Sequence, residues 1–260
     1  MKKTIVAAIT CSLLLAGCSN ERNDEVKTKE PVEFGNALSK GEHFLFSYDS
    51  HLKGVEKDDK IKQISYIKDG KITTYNVEKG NLTLNKASDK GNEDLLKWAK
   101  KYDKKSFDDE LSERKETTKT LSEADGDTFS KKERKEYKDT YDKLKKIKYI
   151  KPKANDLKIT RSTDDDDRTK QISLKKRYES IDLHEGNKKE YEKSVNETLS
   201  DFYEESIPTK KINGQKYSGL QLSSGDSKQD ATYNKVVMKI DKDQSKVVLD
   251  RSNSKYVKGQ

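Results

Sequence analysis

The pattern of apolar and polar positions changes period several times along the chain. Between Ile61 and Val77, apolar and β-branched residues flank Lys68-Asp69-Gly70-Lys71. An Asp-Gly pair between such arms predicts a tight hairpin, because both central turn residues need positive φ. The aromatic run His43 to Tyr48 predicts a strand before it, and Asn81 to Leu84 a further strand after Gly80. The period then becomes helical. Leu95, Leu96, Ala99 and Tyr102 recur at turn spacing behind an Asn92 cap, with Trp98 beside them. Ser106 to Lys115 predicts a second, short helix, and Thr117 to Thr128 a polar loop. Ser130 and Glu133 form a capping box, in which hydroxyl and carboxylate each satisfy a free N–H of a first turn. The helix behind it is predicted over Lys131 to Ile147, with Tyr137, Tyr141 and Leu144 on one stripe.

Pro152 marks a break. Leu157 to Arg161 and Lys170 to Leu174 predict two strands across an acidic tip, Asp164 to Asp167, the second strand continuing through Tyr178 and Ile181. Tyr191, Val195, Leu199, Phe202 and Tyr203 then fall on one helical face, predicting a helix over Lys188 to Ser206 that Pro208 stops. Ile212-Asn213-Gly214 is a turn before a strand at Tyr217 to Leu222. The last element is a predicted hairpin, Lys235 to Leu249, turning at Asp241 to Ser245. The order predicts an α+β fold of antiparallel sheets with helices packed on one face. It divides at Pro152 into similar stretches, 42–150 and 151–260, readable as two small halves or as one domain. With Lys or Asp at so many strand positions, each sheet is expected to have one wet face.

Composition sharpens this picture. Charged residues are 39% of the 260 and hydrophobic ones 30%, against roughly 25% and 45–50% in an average domain. Mean hydropathy is -1.13. Such a chain builds a thin core, yet 13 Tyr, 6 Phe and 1 Trp supply what a core is made from. Multi-span membrane proteins, collagens and disulfide scaffolds are excluded.

The N-terminus adds a location. Lys2 and Lys3 precede an apolar run from Thr4 to Ala16, too short to span a bilayer. Together they read as the charged and apolar regions of an export signal. The run ends Leu15-Ala16-Gly17-Cys18. This resembles the lipobox of bacterial lipoproteins. The resemblance implies that Cys18 carries a thioether-linked diacylglyceryl group and becomes the mature N-terminus, with residues 1–17 removed as signal peptide and Cys11 lost with them. Residues 18–41 follow as the lipidated end and a polar tether. Two acyl chains hold a protein on a membrane where one does so only marginally. The Lys-, Asn- and Tyr-rich composition further resembles small lipoproteins of low-GC Gram-positive bacteria such as staphylococci. That implies the outer face of the cytoplasmic membrane.

Candidate chemistry is sparse. His43, His51 and His184 form no paired metal motif. Asp164 to Asp167 could attract a hard cation, but lacks the spacing of a calcium loop and reads as a solvated hairpin tip. Asp241-Lys-Asp243-Gln-Ser245 begins like a calcium loop and then departs from it at Lys246 and Ser252. Asp108-Asp109 and Glu204-Glu205 are carboxylate pairs of a kind common in so charged a chain. No nucleophile elbow, P-loop or dinucleotide fingerprint is present. The mature chain would have no thiol besides the lipidated one, leaving no Cys nucleophile and no Cys-ligated zinc. No cofactor, metal or catalytic residue is assigned. The formal charge of +8 falls to +6 with loss of Lys2 and Lys3. Basic stretches at Lys143 to Lys153 and Lys175-Lys176-Arg177 read as exposed faces, suited to weak contact with anionic lipid or wall polymer. Export argues against nucleic acid. The expected function is that of a lipid-anchored extracytoplasmic surface protein with a non-catalytic binding role. A solute-binding lipoprotein of an uptake system is the alternative, and an envelope enzyme the third reading.

Overall fold

The computed structural model describes residues 29–124, 129–166, 168–177, 186–196, 198–224 and 231–259. Cys18, His184, Tyr178 and Ile181 lie outside them. In chain order the elements are β1 (Glu30–Glu33), α1 (Phe34–Leu38), β2 (Glu42–Ser50), β3 (Gln63–Lys68), β4 (Lys71–Asn76), α2 (Leu84–Ser88), α3 (Asn92–Glu123) and α4 (Lys131–Leu144). They continue with β5 (Asn155–Asp156), β6 (Ile159–Thr163), β7 (Thr169–Arg177), α5 (Lys188–Asn196), β8 (Thr198–Tyr203), β9 (Glu205–Ile212), β10 (Gln215–Ser224), β11 (Thr232–Ile240), β12 (Gln244–Val248) and β13 (Lys258–Gly259). The fold is α+β with largely antiparallel sheets, as the sequence pattern predicts.

One sheet organises the molecule. Its order is β5-β4-β3-β2-β11-β10-β9, antiparallel throughout. Strands from 42–150 and from 151–260 thus share a single sheet, joined where β2 pairs with β11 and where β4 pairs with β5. The predicted hairpin is present, with Asp69 and Gly70 at φ 51° and 69°. Asn213 and Gly214, at φ 46° and 78°, turn β9 into β10 in the same way.

Both faces of this sheet are covered, so the expected wet face is absent. On one side Phe44, Phe46, Tyr48, Ile64, Tyr75, Tyr217 and Val237 pack with Leu84 and Ala87 of α2 and Leu95 and Ala99 of α3. On the other, Leu45, Ile67, Leu220, Val236 and Met238 pack with a second sheet, β13-β6-β7-β8, and with α1 and β12. The reason is visible in β2, where five consecutive residues, Phe44 to Tyr48, are buried. A strand buried on both faces reads as a run rather than as alternation.

Several local expectations are corrected by longer-range contacts. The tether ends at Glu30 rather than at residue 41. Phe34 and Leu38 are fully buried, β1 pairs in parallel with β12, and the buried Asp250 carboxylate accepts from the Gly35 N–H at 2.6 Å and the Asn36 N–H at 3.0 Å. The strand expected at Asn81 to Leu84 contributes one bridge, Lys60 to Thr83, and Thr83 then caps α2. Helix α3 runs unbroken from Asn92 to Glu123: it joins the two predicted helices, with Phe107 and Leu111 buried in the second, and continues through Thr118, also buried, into the stretch expected as a loop. Its N-cap is Gly91, not Asn92. The Ser130–Glu133 capping box starts α4 as expected.

The largest difference lies at Lys188 to Ser206. Helix α5 stops at Asn196, and Thr198–Tyr203 forms β8 against β7, with Lys176 opposite Leu199 and Ile172 opposite Tyr203. Leu199 is 48% exposed and Phe202 39%. Pro208 sits in β9, the last strand of the large sheet, where a missing N–H interrupts no inner ladder. The final hairpin is also absent: β12 leaves β11 after the Asp241–Gln244 turn and pairs with β1.

Candidate functional site

The seam between β2 and β11 opens at one end of the large sheet. Their ladder runs from Ser50–Tyr233 to Leu45–Met238 and goes no further. Yet β2 continues through Phe44, His43 and Glu42, still paired with β3 to Lys68, and β11 continues to Ile240, still paired with β10 at Lys216. The two flanking hairpins hold together while the seam between them parts. Part of the bend comes from β10. Its register against β9 shifts between Tyr217 and Gly219, a bulge of the kind that bends a strand. Gly219 lets β10 lie tight on β11, since a Cβ there would sit 1.9 Å from the Val236 carbonyl oxygen.

The parted seam is the mouth of a cleft of about 600 Å³, within the usual size range of ligand sites. Its lining draws on α2 and α3, through Ala87, Ser88, Asn92 and Leu95, and on α1, through Asn36 and Ala37. Its floor is apolar: Phe44, Phe46, Tyr217, Met238 and Leu95 are all at most 7% exposed. Its walls are amide- and hydroxyl-rich, from Asn36, Ser88, Asn92, Gln215 and Gln244. Lys40, Lys90, Lys239, Glu42 and Asp241 supply charge.

Several of these groups are already held. The His43 Nε2–H donates to the Lys40 carbonyl at 2.5 Å. The Ser88 hydroxyl donates to the Asn85 carbonyl at 2.8 Å. Glu42 accepts from the Asn92 amide at 3.2 Å and pairs with Lys68 at 3.8 Å. Lys90 lies 4.5 Å over the Trp98 ring. Burial, with Asp89 adding to it, pushes the Tyr217 hydroxyl up to about 12, so it remains a neutral donor. The Asp241 N–H is bound by Gln244 Oε1 at 3.0 Å.

The residues singled out from the sequence are scattered. His43 lines the cleft, whereas His51 is exposed beyond β2. Asp164 and Asp166 are engaged by Arg168, with Asp164 Oδ2 accepting from its Nε at 3.1 Å and Asp166 Oδ2 from its Nη2 at 2.6 Å. Backbone bonding from Arg168 holds the Asp164 carboxyl below its ordinary value. Asp167 lies outside the described residues. Asp108 and Asp109 pair with Lys104 and Lys105 one turn away on α3. Glu204 and Glu205 accept from Gln171 and Gln221. Among the described residues no cluster of His, Cys, Asp and Glu could hold a metal ion, and no helix is long and apolar enough to cross a membrane.

The basic run Lys175-Lys176-Arg177 is corrected most sharply. Lys175 is exposed, but Lys176 and Arg177 are buried. The Lys176 ammonium pairs with Asp201 and donates to Ser47 Oγ at 2.9 Å and Gln63 Oε1 at 3.2 Å. Arg177 donates to Asp103 at 3.2 Å, and the same carboxylate accepts from Tyr149 and from the Asn76 N–H, each at 2.7 Å. Burial pushes the Asp103 carboxyl above its ordinary value, and these partners pull it part of the way back.

No local motif announces the cleft. It is assembled from residues 32–46, 87–95, 215–217 and 238–244, and the only sequence trace is the polar pair Glu42-His43 opening an otherwise buried strand. Comparison of the chain with protein-family models, curated proteins and solved structures finds no match.

Proposed function

We propose that this chain is a lipid-anchored extracytoplasmic binding protein, held by Cys18 at the outer face of the cytoplasmic membrane and taking a ligand in the seam cleft without chemical turnover. The cleft is the observation that carries the reading. A pocket with an apolar floor and a few convergent polar groups is the ordinary form of a ligand site. Commitment of His43 and Ser88 to backbone carbonyls supports binding over catalysis. The sheet shared by both stretches of chain supports a plain binding role over a two-lobed uptake receptor. Anchoring rests on the Leu15-to-Cys18 lipobox. Only residues 19–29 separate Cys18 from Glu30, a reach of at most about 40 Å, so the folded part stays beside the bilayer.

Two experiments test the two parts. Metabolic labelling with a lipid precursor is expected to mark the native chain and not Cys18→Ala; persistent labelling of the variant would overturn the anchor. For the cleft, thermal melting of the unlipidated chain from Ser19 is followed against oligopeptides, sugars and nucleosides, beside Asn36→Trp. Asn36 is exposed at the cleft wall, so the indole blocks the mouth without disturbing the core. At least one class is expected to raise the native melting temperature and leave the variant unchanged. Equal responses from both chains in every class would remove the cleft as the site.

A further inference from the structure

The side chains around the cleft decide what kind of ligand it favours, and strand register sorts them. Tyr217 stands opposite Lys239, and Val237 opposite Phe46. Directly opposed residues share a sheet face, and side chains return to the same face every second residue. Lys239 therefore lies on the face of Phe44, Phe46 and Tyr217, the one covered by α2 and α3. Leu95 of α3 and Lys90, from the link between α2 and α3, line the cleft on that side. The Tyr217 side chain is 3% exposed, and its hydroxyl has no hydrogen-bond partner among the described residues, which leaves a donor for a ligand acceptor.

The charges do not balance. Lys40, Lys90 and Lys239 line the cleft, all exposed, and none has an ion-pair partner among the described residues. The Lys90 ammonium has the Trp98 ring, a contact that leaves its charge in place. Of the two carboxylates, Glu42 is engaged by Lys68 and Asn92, which leaves Asp241 alone against three cations. We propose that the cleft takes a small amphipathic anion, its apolar body laid on Phe44, Phe46 and Tyr217 and its acidic group held by Lys239 and Lys90. Burial of the body supplies affinity, and charge-assisted hydrogen bonds, about twice as strong as neutral ones, supply selectivity. The class takes in oligopeptides with an apolar side chain beside the terminal carboxylate. An uncharged sugar or nucleoside offers the lysines nothing.

This inference rests on the cleft being the ligand site, and the test separates the two. The probes are 8-anilinonaphthalene-1-sulfonate and N-phenyl-1-naphthylamine, which share their rings and differ in the sulfonate. Both fluoresce on entering an apolar site, so titration of the unlipidated chain from Ser19 reads each affinity directly. The sulfonate probe is expected to saturate one site with affinity about tenfold above that of the neutral probe, the equivalent of one hydrogen bond to a charged group. Lys239→Gln and Lys90→Gln, at exposed positions, are each expected to weaken the sulfonate probe several-fold and leave the neutral one unchanged. Added salt should likewise weaken only the sulfonate probe. Equal affinity of the two probes, or a sulfonate affinity that neither variant changes, would overturn the anionic preference. Failure of both probes, while an uncharged sugar or nucleoside stabilises the native chain and not Asn36→Trp, would overturn the amphipathic anion and leave the cleft standing as the site.

Discussion

Lys176 is the most exacting test of how the two sheets are joined. Its side chain is 2% exposed, and its ammonium pairs with Asp201, 18% exposed, while donating to Ser47 of β2 and Gln63 at the start of β3. It is the charged link from the small sheet into the face of the large one. Lys176→Met keeps most of the aliphatic stem and deletes the charge. Three groups then lose a donor: the Asp201 carboxylate, the Ser47 hydroxyl and the Gln63 carbonyl. Removing one partner of a buried pair costs about 3–5 kcal/mol. The lower end is expected here, because Asp201 keeps some water and the Tyr203 hydroxyl at 3.3 Å. Asp201→Asn should cost about the upper end, since it strands an ammonium with neutral acceptors only. The double variant Lys176→Met with Asp201→Leu removes both charges and should return to within about 1–2 kcal/mol of the native chain. Urea unfolding of the unlipidated chain from Ser19, followed by far-UV circular dichroism, measures all four corners of the cycle. Against a total stability of roughly 5–15 kcal/mol, these losses are readily resolved. A Lys176→Met loss below about 0.5 kcal/mol, or a double variant equal to the sum of the singles, would refute the buried link.

Other expectations are smaller in scope. Leu199→Ala should change stability by less than about 0.5 kcal/mol, because Leu199 is 48% exposed, whereas Ile172→Ala on the neighbouring strand, fully buried, should cost about 2–5 kcal/mol; equal urea midpoints would refute the assignment of β8. Gly219→Ala should cost at least about 2 kcal/mol, since its Cβ would fall on the Val236 backbone, and an unchanged melting temperature would refute that close approach. Asp250 carries a pH signature. Burial raises its carboxyl above the ordinary value, against the pull of the Gly35 and Asn36 N–H groups. A raised folded-state value means stability fully present below the unfolded value and lost as pH rises through the folded one. The stability difference between native chain and Asp250→Asn should therefore shrink as pH rises from about 4 to about 7, and a difference that grows over that range would refute it.

What the sequence determined by itself is whatever depends on a few neighbouring residues. Asp69-Gly70 and Asn213-Gly214 make their turns because positive φ is a local demand that these residues meet cheaply. Ser130 and Glu133 start a helix because both capping partners lie within one turn. The α+β class follows from the sum of such signals. The resemblance of Leu15-Ala16-Gly17-Cys18 to a lipobox is likewise local, and it underlies the proposed anchor. Tertiary structure decided the rest, wherever a distant partner outweighed a local pattern. Leu199, Phe202 and Tyr203 hold helical spacing, but β7 offers Thr198–Tyr203 a ladder, and only Tyr203 of the three reaches the core. Val247 follows a turn that suits a hairpin, yet its strand pairs with β1, some two hundred residues earlier in the chain. Lys176 and Arg177 look like surface charge until Asp201 and Asp103 arrive from other elements to hold them inside. The cleft is the extreme case. It exists because one ladder stops while its two neighbours continue, and where a ladder stops depends on the bend of whole strands rather than on any residue in it.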